Sequence, residues 1–441
     1  MGYFDEDDLS GKRLFAEIWE ACSDMTGYVQ MHFSPRIRER LFGNEWMTIP
    51  RNWLHNEFSE KADKLYKEIL NNKEAKESPL DIASIIKEDF EVKDETEDND
   101  NIKRRFESII DFPYFLIHCL KCFVKKIDLA TIDGKPLIQD LMNDRKLVET
   151  FDGVINAEII DKRKFSKEFI VFLLRARYLF DKYIIKREFK GEDNVGEWSL
   201  KELRSSSSSG SRKAHYTDTS FHYPHERWKT SEGRHKPILM IQSALRVSYT
   251  SPKVMHWITD TLGWLIGLVN LDSRIWETGD HIESIAKQSV KNFLAENPEK
   301  RFKMGVNTPH IVFNYLDYLL WKQNQKVDFT FEFRNSVEHW YPRNPSGESF
   351  EKWEESEGNS VDRFGNLCLV PSHINSKFSN MDPVSKKNTY KEMIQKGSLK
   401  LRLMSSLTTD SKEWKDTRCR EHENAMIDDI LRRNCPEIFS N

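Results

Sequence analysis

Two short blocks near the C-terminal end carry the residue types that hydrolysis of a phosphate ester requires. SVEHWYP (Ser336 to Pro342) sets a carboxylate beside an imidazole, Glu338 and His339, with a proline three residues after the histidine. RFGNLCLVPSHINSKFSN (Arg363 to Asn380) adds two carboxamides nine residues apart, Asn366 and Asn375. Cleaving a phosphodiester takes an activated water, a means of neutralising charge on the phosphate and a stabilised leaving oxygen. A neutral imidazole, with an unperturbed pKa of about 6.5, can accept a proton from water near neutral pH, and that assigns His339 the role of general base. The Glu338 carboxylate and the Asn375 amide oxygen are hard donors suited to a divalent ion such as Mg²⁺ or Mn²⁺, with phosphate oxygens and waters completing the shell. The side-chain oxygen of Asn366 is expected to accept from the far ring nitrogen of His339 and so fix its tautomer.

These residues need elements that bring them together. Phe331 to Val337 has strand composition and would deliver Glu338 and His339 at its end, where alternation turns neighbouring side chains opposite ways. Phe364 to Val370 reads as a second, apolar strand carrying Asn366 and ended by Pro371. Ser372 is expected to cap a short helix with Asn375 in its first turn. Strand, strand and helix would then surround one ion.

The same residues carry a resemblance. The Glu-His-x-x-Pro block, the Gly-Asn-Leu strand and the Asn-bearing helix resemble the HNH branch of the His-Me finger nucleases, whose ββα-metal unit has an acid-His pair, a middle Asn and a helical Asn or His. EHWYP, FGNLCLV, NSKFSN and the pair Lys386-Lys387 are similar to the nuclease domain of GmrSD-type, modification-dependent restriction endonucleases. Glu338 stands where Asp is usual in HNH units, a substitution common in the GmrSD-type subgroup. Phe151 to Glu188 with Glu197 to Leu200 resembles the helical middle of these proteins. The resemblance implies a metal-dependent DNA endonuclease acting in prokaryotic defence against phage or modified DNA. It also bears on partners: family members begin with a nucleotide-hydrolysing domain marked by Asp-Gly-Gln-Gln-Arg, a string this sequence lacks, which leaves a split system with a separate subunit bearing that motif, the reading preferred here, or a truncated gene product. Trp19, Trp46 and Trp53 are expected to form its docking surface. A non-catalytic nucleic-acid-binding adaptor and an RNase of the same fold are the alternatives.

Composition sets the frame. A chain of 441 residues has room for two or three domains, and its apolar runs, such as Phe169 to Leu174, are too short to span a bilayer. Six scattered cysteines and no signal-peptide pattern point to free thiols and a cytoplasmic location. The net charge of −4 excludes a uniformly basic nucleic-acid binder, yet Lys377, Lys386, Lys387, Lys391, Lys396, Lys400 and Arg402 follow the proposed metal helix closely. Lys377, Lys386 and Lys387 are assigned to DNA phosphates.

The expected fold is mainly α with a C-terminal α+β unit, a helical scaffold carrying the ββα-metal nuclease domain. Residues 1–100 form an N-terminal helical region ending in an acidic connector, 101–300 a helical scaffold, and 301–441 the nuclease domain. Phe165 to Glu188 is apolar around most of its circumference and should be central to the scaffold. Arg204 to Arg212, rich in serine, reads as an exposed loop or linker. Helices are expected over Pro252 to Leu271, His281 to Glu296 and Pro309 to Gln325. His118, Cys119 and Cys122 suggest zinc by their spacing, but the continuously apolar flanks favour buried helical thiols. The histidine-rich stretch from His215 to His235 is either a stacking surface for nucleic acid or a loop packed on the helices.

Overall fold

The computed structural model describes residues 9–47, 105–126, 131–132, 135–136, 142–156, 161–190, 195–208, 211–221, 232–268, 274–296, 302–346, 351–356, 360–436 and 439. The acidic connector, Trp53 and residues 222–231 of the His215 to His235 stretch lie outside them. The protein is mainly helical, with small antiparallel sheets and a C-terminal α+β region. It forms two compact units: Met1–Leu239 with Ser251–Thr278, and Met240–Thr250 with Gly279–Asn441. The second therefore begins before residue 301, where the sequence suggested a boundary. Among the described residues no helix is long and apolar enough to cross a membrane.

The first unit contains helices α1 (Leu9–Ser23), α2 (Pro35–Phe42) and α3 (Phe112–Lys126), followed by α4 (Leu147–Ile155) and α5 (Lys162–Tyr183). Asp161 caps α5 by accepting from the Arg163 and Lys164 amides, which satisfies donors that the first helical turn leaves free. Helix α5 buries residues around its whole circumference, from Phe165 and Phe169 to Leu179 and Phe180, and is the centre of this unit as its pattern predicts. It ends at Tyr183. Residues predicted to continue it instead form strand β4 (Lys186–Glu188), between β1 (Phe106–Ser108) and β5 (Glu197–Ser199).

The charges within α5 are paired locally. Asp181 lies 3.2 Å from Arg177 and 2.9 Å from Lys186, and accepts from the Val29 amide at 2.7 Å. A buried carboxylate requires such partners. Cys119 and Cys122 are buried thiols of α3; Cys122 donates to Thr259 O, and burial pushes it up to about 12. His118 meets Thr259 Oγ1 at 2.7 Å, and burial pushes its imidazole down to about 3.

The serine-rich stretch is not a linker. Lys201–Ser208 and Ser211–Asp218 pair antiparallel as a hairpin, with Leu203 opposite Tyr216 and Ser205 opposite Ala214. Apolar side chains on both strands, rather than the serines, supply its packing: Leu203 is buried on one and Tyr216 on the other packs at a tilt against Tyr28 and Phe106. Trp46, expected on a docking surface, is 3 % exposed and lies beneath Arg38, whereas Trp19 remains exposed.

The predicted helices of the remaining scaffold are shorter or shifted by a few residues. They are α7 (His256–Gly267), α8 (Thr278–Glu296) and α9 (His310–Gln323), and a helix that the sequence reading did not expect, α6 (Glu232–Ser248), precedes them. Of these, α7 belongs to the first unit. Helices α8 and α9 lie in the second unit, where α9 packs on the elements described next.

Candidate active site

Strand β8 (Ser336–His339) pairs antiparallel with β9 (Leu367–Val370), placing Glu338 opposite Cys368 and His339 opposite Leu367. The Trp340 amide donates to Asn366 O at 2.8 Å and extends the ladder one step. Helix α10 (Ser372–Phe378) follows at once, so the strand-strand-helix order is present. Its start differs from expectation: Pro371 occupies the cap, and Asn335 Oδ1 receives both the amide and the hydroxyl of Ser372. The amide nitrogen of Asn375 donates to Ser336 Oγ, tying α10 to β8. Trp340, Cys368, Val370, Ile374, Phe378 and Trp414 form the core behind it.

His339 is held by a residue that the sequence did not single out. Its Nε2 lies 2.7 Å from Asp362 Oδ1, and Arg343 Nη2 sits 2.6 and 2.7 Å from the two oxygens of the same carboxylate. With Nε2 donating to Asp362, Nδ1 carries the lone pair. Burial lowers the His339 pKa, the bond to Asp362 opposes that, and the imidazole ends below its ordinary value, neutral near pH 7. Burial works to raise Asp362, but bonds from Arg343 and His339 hold it below the usual carboxylate range. Gly305 closes the other side: at φ +56° it fits against Asp362, and a Cβ there would lie 2.7 Å from the carboxylate carbon.

Asn366 does not reach His339. It sits in a tight turn, Phe364–Asn366, before β9, and is wholly buried. Its oxygen accepts from Tyr341 N at 2.8 Å and Trp414 Nε1 at 3.1 Å, while its nitrogen donates to Tyr341 O and Val361 O, both at 2.9 Å. All four hydrogen-bonding positions of the amide are thus filled. Asn366 staples the turn after β8 to the segment beside Asp362. Its neighbour Gly365 is required sterically, since a Cβ would stand 2.2 Å from Cys419 O in helix α14 (Cys419–Asn424). The contact is with backbone and cannot be relieved by a side-chain rotation. Gly365→Ala is therefore expected to destabilise the second unit by about 1–3 kcal/mol, as overpacking does, read by urea unfolding against the wild type.

Lys386 is not a DNA contact. Helix α11 (Pro383–Thr389), capped by Asp382, carries it into the interior. There its ammonium bonds Glu338 Oε1 at 2.7 Å, His339 O at 2.7 Å and Trp340 O at 3.0 Å, which uses its three protons. Burial raises the Glu338 carboxyl and lowers the Lys386 amine, and the attraction between them opposes both shifts. Lys387 turns to Thr408 O at 2.7 Å, and Arg402 to the carbonyls of Gly397 and Asp328.

Lys400 is also buried, in helix α13 (Leu399–Leu407). It donates to Phe364 O and Leu367 O at 2.8 and 2.6 Å, and burial pushes its amine down to about 8. One buried lysine thus fastens the exit of β8 and another the entry of β9. Of the three residues assigned to phosphate, Lys377 is exposed, on the helix that bears Asn375.

Glu338 Oε1 is taken by Lys386, which leaves its second oxygen and the Asn375 amide oxygen as donors for a hard divalent ion. Ser336 and Glu338 are two apart on β8 and share a face, and Asn375 reaches Ser336, so these donors fit such an ion in kind and side. Among the described residues no group of three or more His, Cys, Asp or Glu side chains could hold a metal. An ion here would therefore complete its shell with phosphate and water.

No curated protein and no solved structure matches the chain. One protein family does: the match is to GmrSD restriction endonucleases, C-terminal domain, over residues 288–429. That interval contains β8, β9, α10, His339, Asp362, Asn366 and both buried lysines. Residues 288–429 are therefore similar to the domain that stands at the C-terminal end of GmrSD restriction endonucleases.

Proposed function

We propose that the second unit is an HNH-type, metal-dependent DNA endonuclease in which His339 is the general base. The observation that carries this reading is the His339 ring at the end of β8, anchored through Nε2 by Asp362 within a strand-strand-helix unit. Nδ1 accepts a proton from water as the water oxygen attacks phosphorus, the bond from phosphorus to the leaving deoxyribose oxygen breaks, and that oxygen takes a proton from solvent. Asp362 keeps the imidazole in one tautomer and stabilises the imidazolium that forms. Glu338 and Asn375 would hold Mg²⁺ or Mn²⁺, which when bound supplies charge neutralisation on the phosphate. Lys386 fixes the Glu338 carboxylate and the backbone on either side of the base. Restriction of phage or modified DNA is the context in which such an activity would serve.

Plasmid and oligoribonucleotide substrates, offered with Mg²⁺, Mn²⁺ or chelator, test the reading: metal-dependent cleavage of DNA supports it, and cleavage of RNA alone replaces it with the ribonuclease alternative. Metal demand separates the roles further. Asn375→Ala is expected to raise the Mn²⁺ concentration giving half-maximal rate, because an oxygen donor is lost. Asn366→Ala should lower the maximal rate and leave that concentration unchanged, since its partners are Tyr341, Val361 and Trp414 and neither metal donor is among them. Identical metal curves for the two variants would break the assignment.

A further inference from the structure

The lysines and arginine behind α10 that were expected to meet DNA are largely bonded to carbonyls of the fold, yet one guanidinium stands close to the base. Arg343 follows Pro342 in the turn after β8. Its side chain is 51 % exposed, and its partner Asp362 is 32 % exposed. Among the described residues its hydrogen bonds are those of Nη2 to the two Asp362 oxygens, so Nε and Nη1 remain available. Asp362 in turn holds His339 Nε2 at 2.7 Å, which puts the cation one carboxylate away from the base.

We propose that Arg343 reads the DNA backbone at this site: a phosphodiester takes its guanidinium from Asp362, and Asp362 stays on His339. This rests on the nuclease reading above. A guanidinium presents five donors in a planar fork that matches phosphate as well as carboxylate, so one anion can replace the other without loss of geometry. An exposed Arg-carboxylate pair is weak and salt-screened, so the exchange meets little resistance. In the absence of DNA, Asp362 keeps the guanidinium extended beside the base. Once phosphate has drawn it away, His339 retains a carboxylate partner of undiminished charge. The contact is with backbone and carries no sequence preference.

The test is fluorescence anisotropy of the full chain with a labelled DNA duplex in chelator, across a range of salt. Arg343→Gln is expected to weaken binding about tenfold, the loss of one charge-assisted contact, and to flatten the salt slope by about 0.9. Arg343→Lys should restore the slope and part of the affinity. Asp362→Asn, which releases the guanidinium, should bind at least as tightly as the wild type while cleaving more slowly. A purely structural pair would instead weaken binding in both the Arg343 and Asp362 variants. Wild-type affinity and slope in Arg343→Gln, or an equal loss in Asp362→Asn, would overturn the proposal. Cleavage by the wild type in Mg²⁺ is scored separately: no cleavage with the Arg343 dependence intact would strike the nuclease reading and leave the phosphate contact standing.

Discussion

His339→Ala is expected to lower the rate of DNA cleavage by about 10²–10⁴-fold, the range over which a positioned general base contributes. The loss should fall on the maximal rate. Nothing in the variant touches Glu338, Asn375 or Arg343 directly, so metal demand and DNA affinity should stay near wild type. Folding should survive as well. Among the described residues the ring makes one side-chain bond, to Asp362, and the carbonyl that Lys386 grips belongs to the backbone and is retained. Single-turnover cleavage at saturating DNA and Mn²⁺, beside a urea unfolding curve, checks both halves of this expectation. Equal rates for variant and wild type would remove His339 from the chemistry.

Lys386→Ala is expected to cost the second unit about 3–5 kcal/mol, because it strands a buried carboxylate. The variant leaves Glu338 Oε1, His339 O and Trp340 O without their shared donor, and opens space beneath β8. A lysine that only touched DNA would change stability by no more than about 0.5 kcal/mol. Unfolding by urea therefore decides between the two roles without any nucleic acid present. Lys386→Met combined with Glu338→Gln removes both charges together and should recover much of the loss. Failure of the double variant to recover, or a neutral Lys386→Ala, would contradict the interior role.

How far the sequence reaches is visible in these same residues. Glu338, His339 and Asn375 were legible because acid-imidazole adjacency and the strand-proline-helix punctuation are local signals, and the structure places them on β8 and α10 in that order. Asn366 was found, but its partners were misread. Its amide is filled by Tyr341, Val361 and Trp414, two of which lie far off in the chain, and distant partners leave no periodic trace. Lys386 and Lys400 read as part of a basic run facing DNA because charge counting reads composition; the interior carbonyls that receive them emerge only when β8 and β9 pair. Asp362 was missed for a similar reason: it stands 23 positions from His339 in a segment without regular structure. A lone acid just ahead of the Arg-Phe-Gly-Asn turn was the available signal. In the first unit, the serine run hid a strand whose partner, Lys-Ala-His-Tyr-Thr-Asp, has ordinary strand composition.

The measurement that bears most directly on the central claim is chemical rescue of His339→Gly by free imidazole. If the ring of His339 accepts the proton of the attacking water, imidazole added to the variant should restore part of the DNA cleavage, in proportion to its neutral form and with no effect on the wild type. Cleavage by the variant that imidazole leaves unchanged, at a rate equal to wild type, would contradict the account.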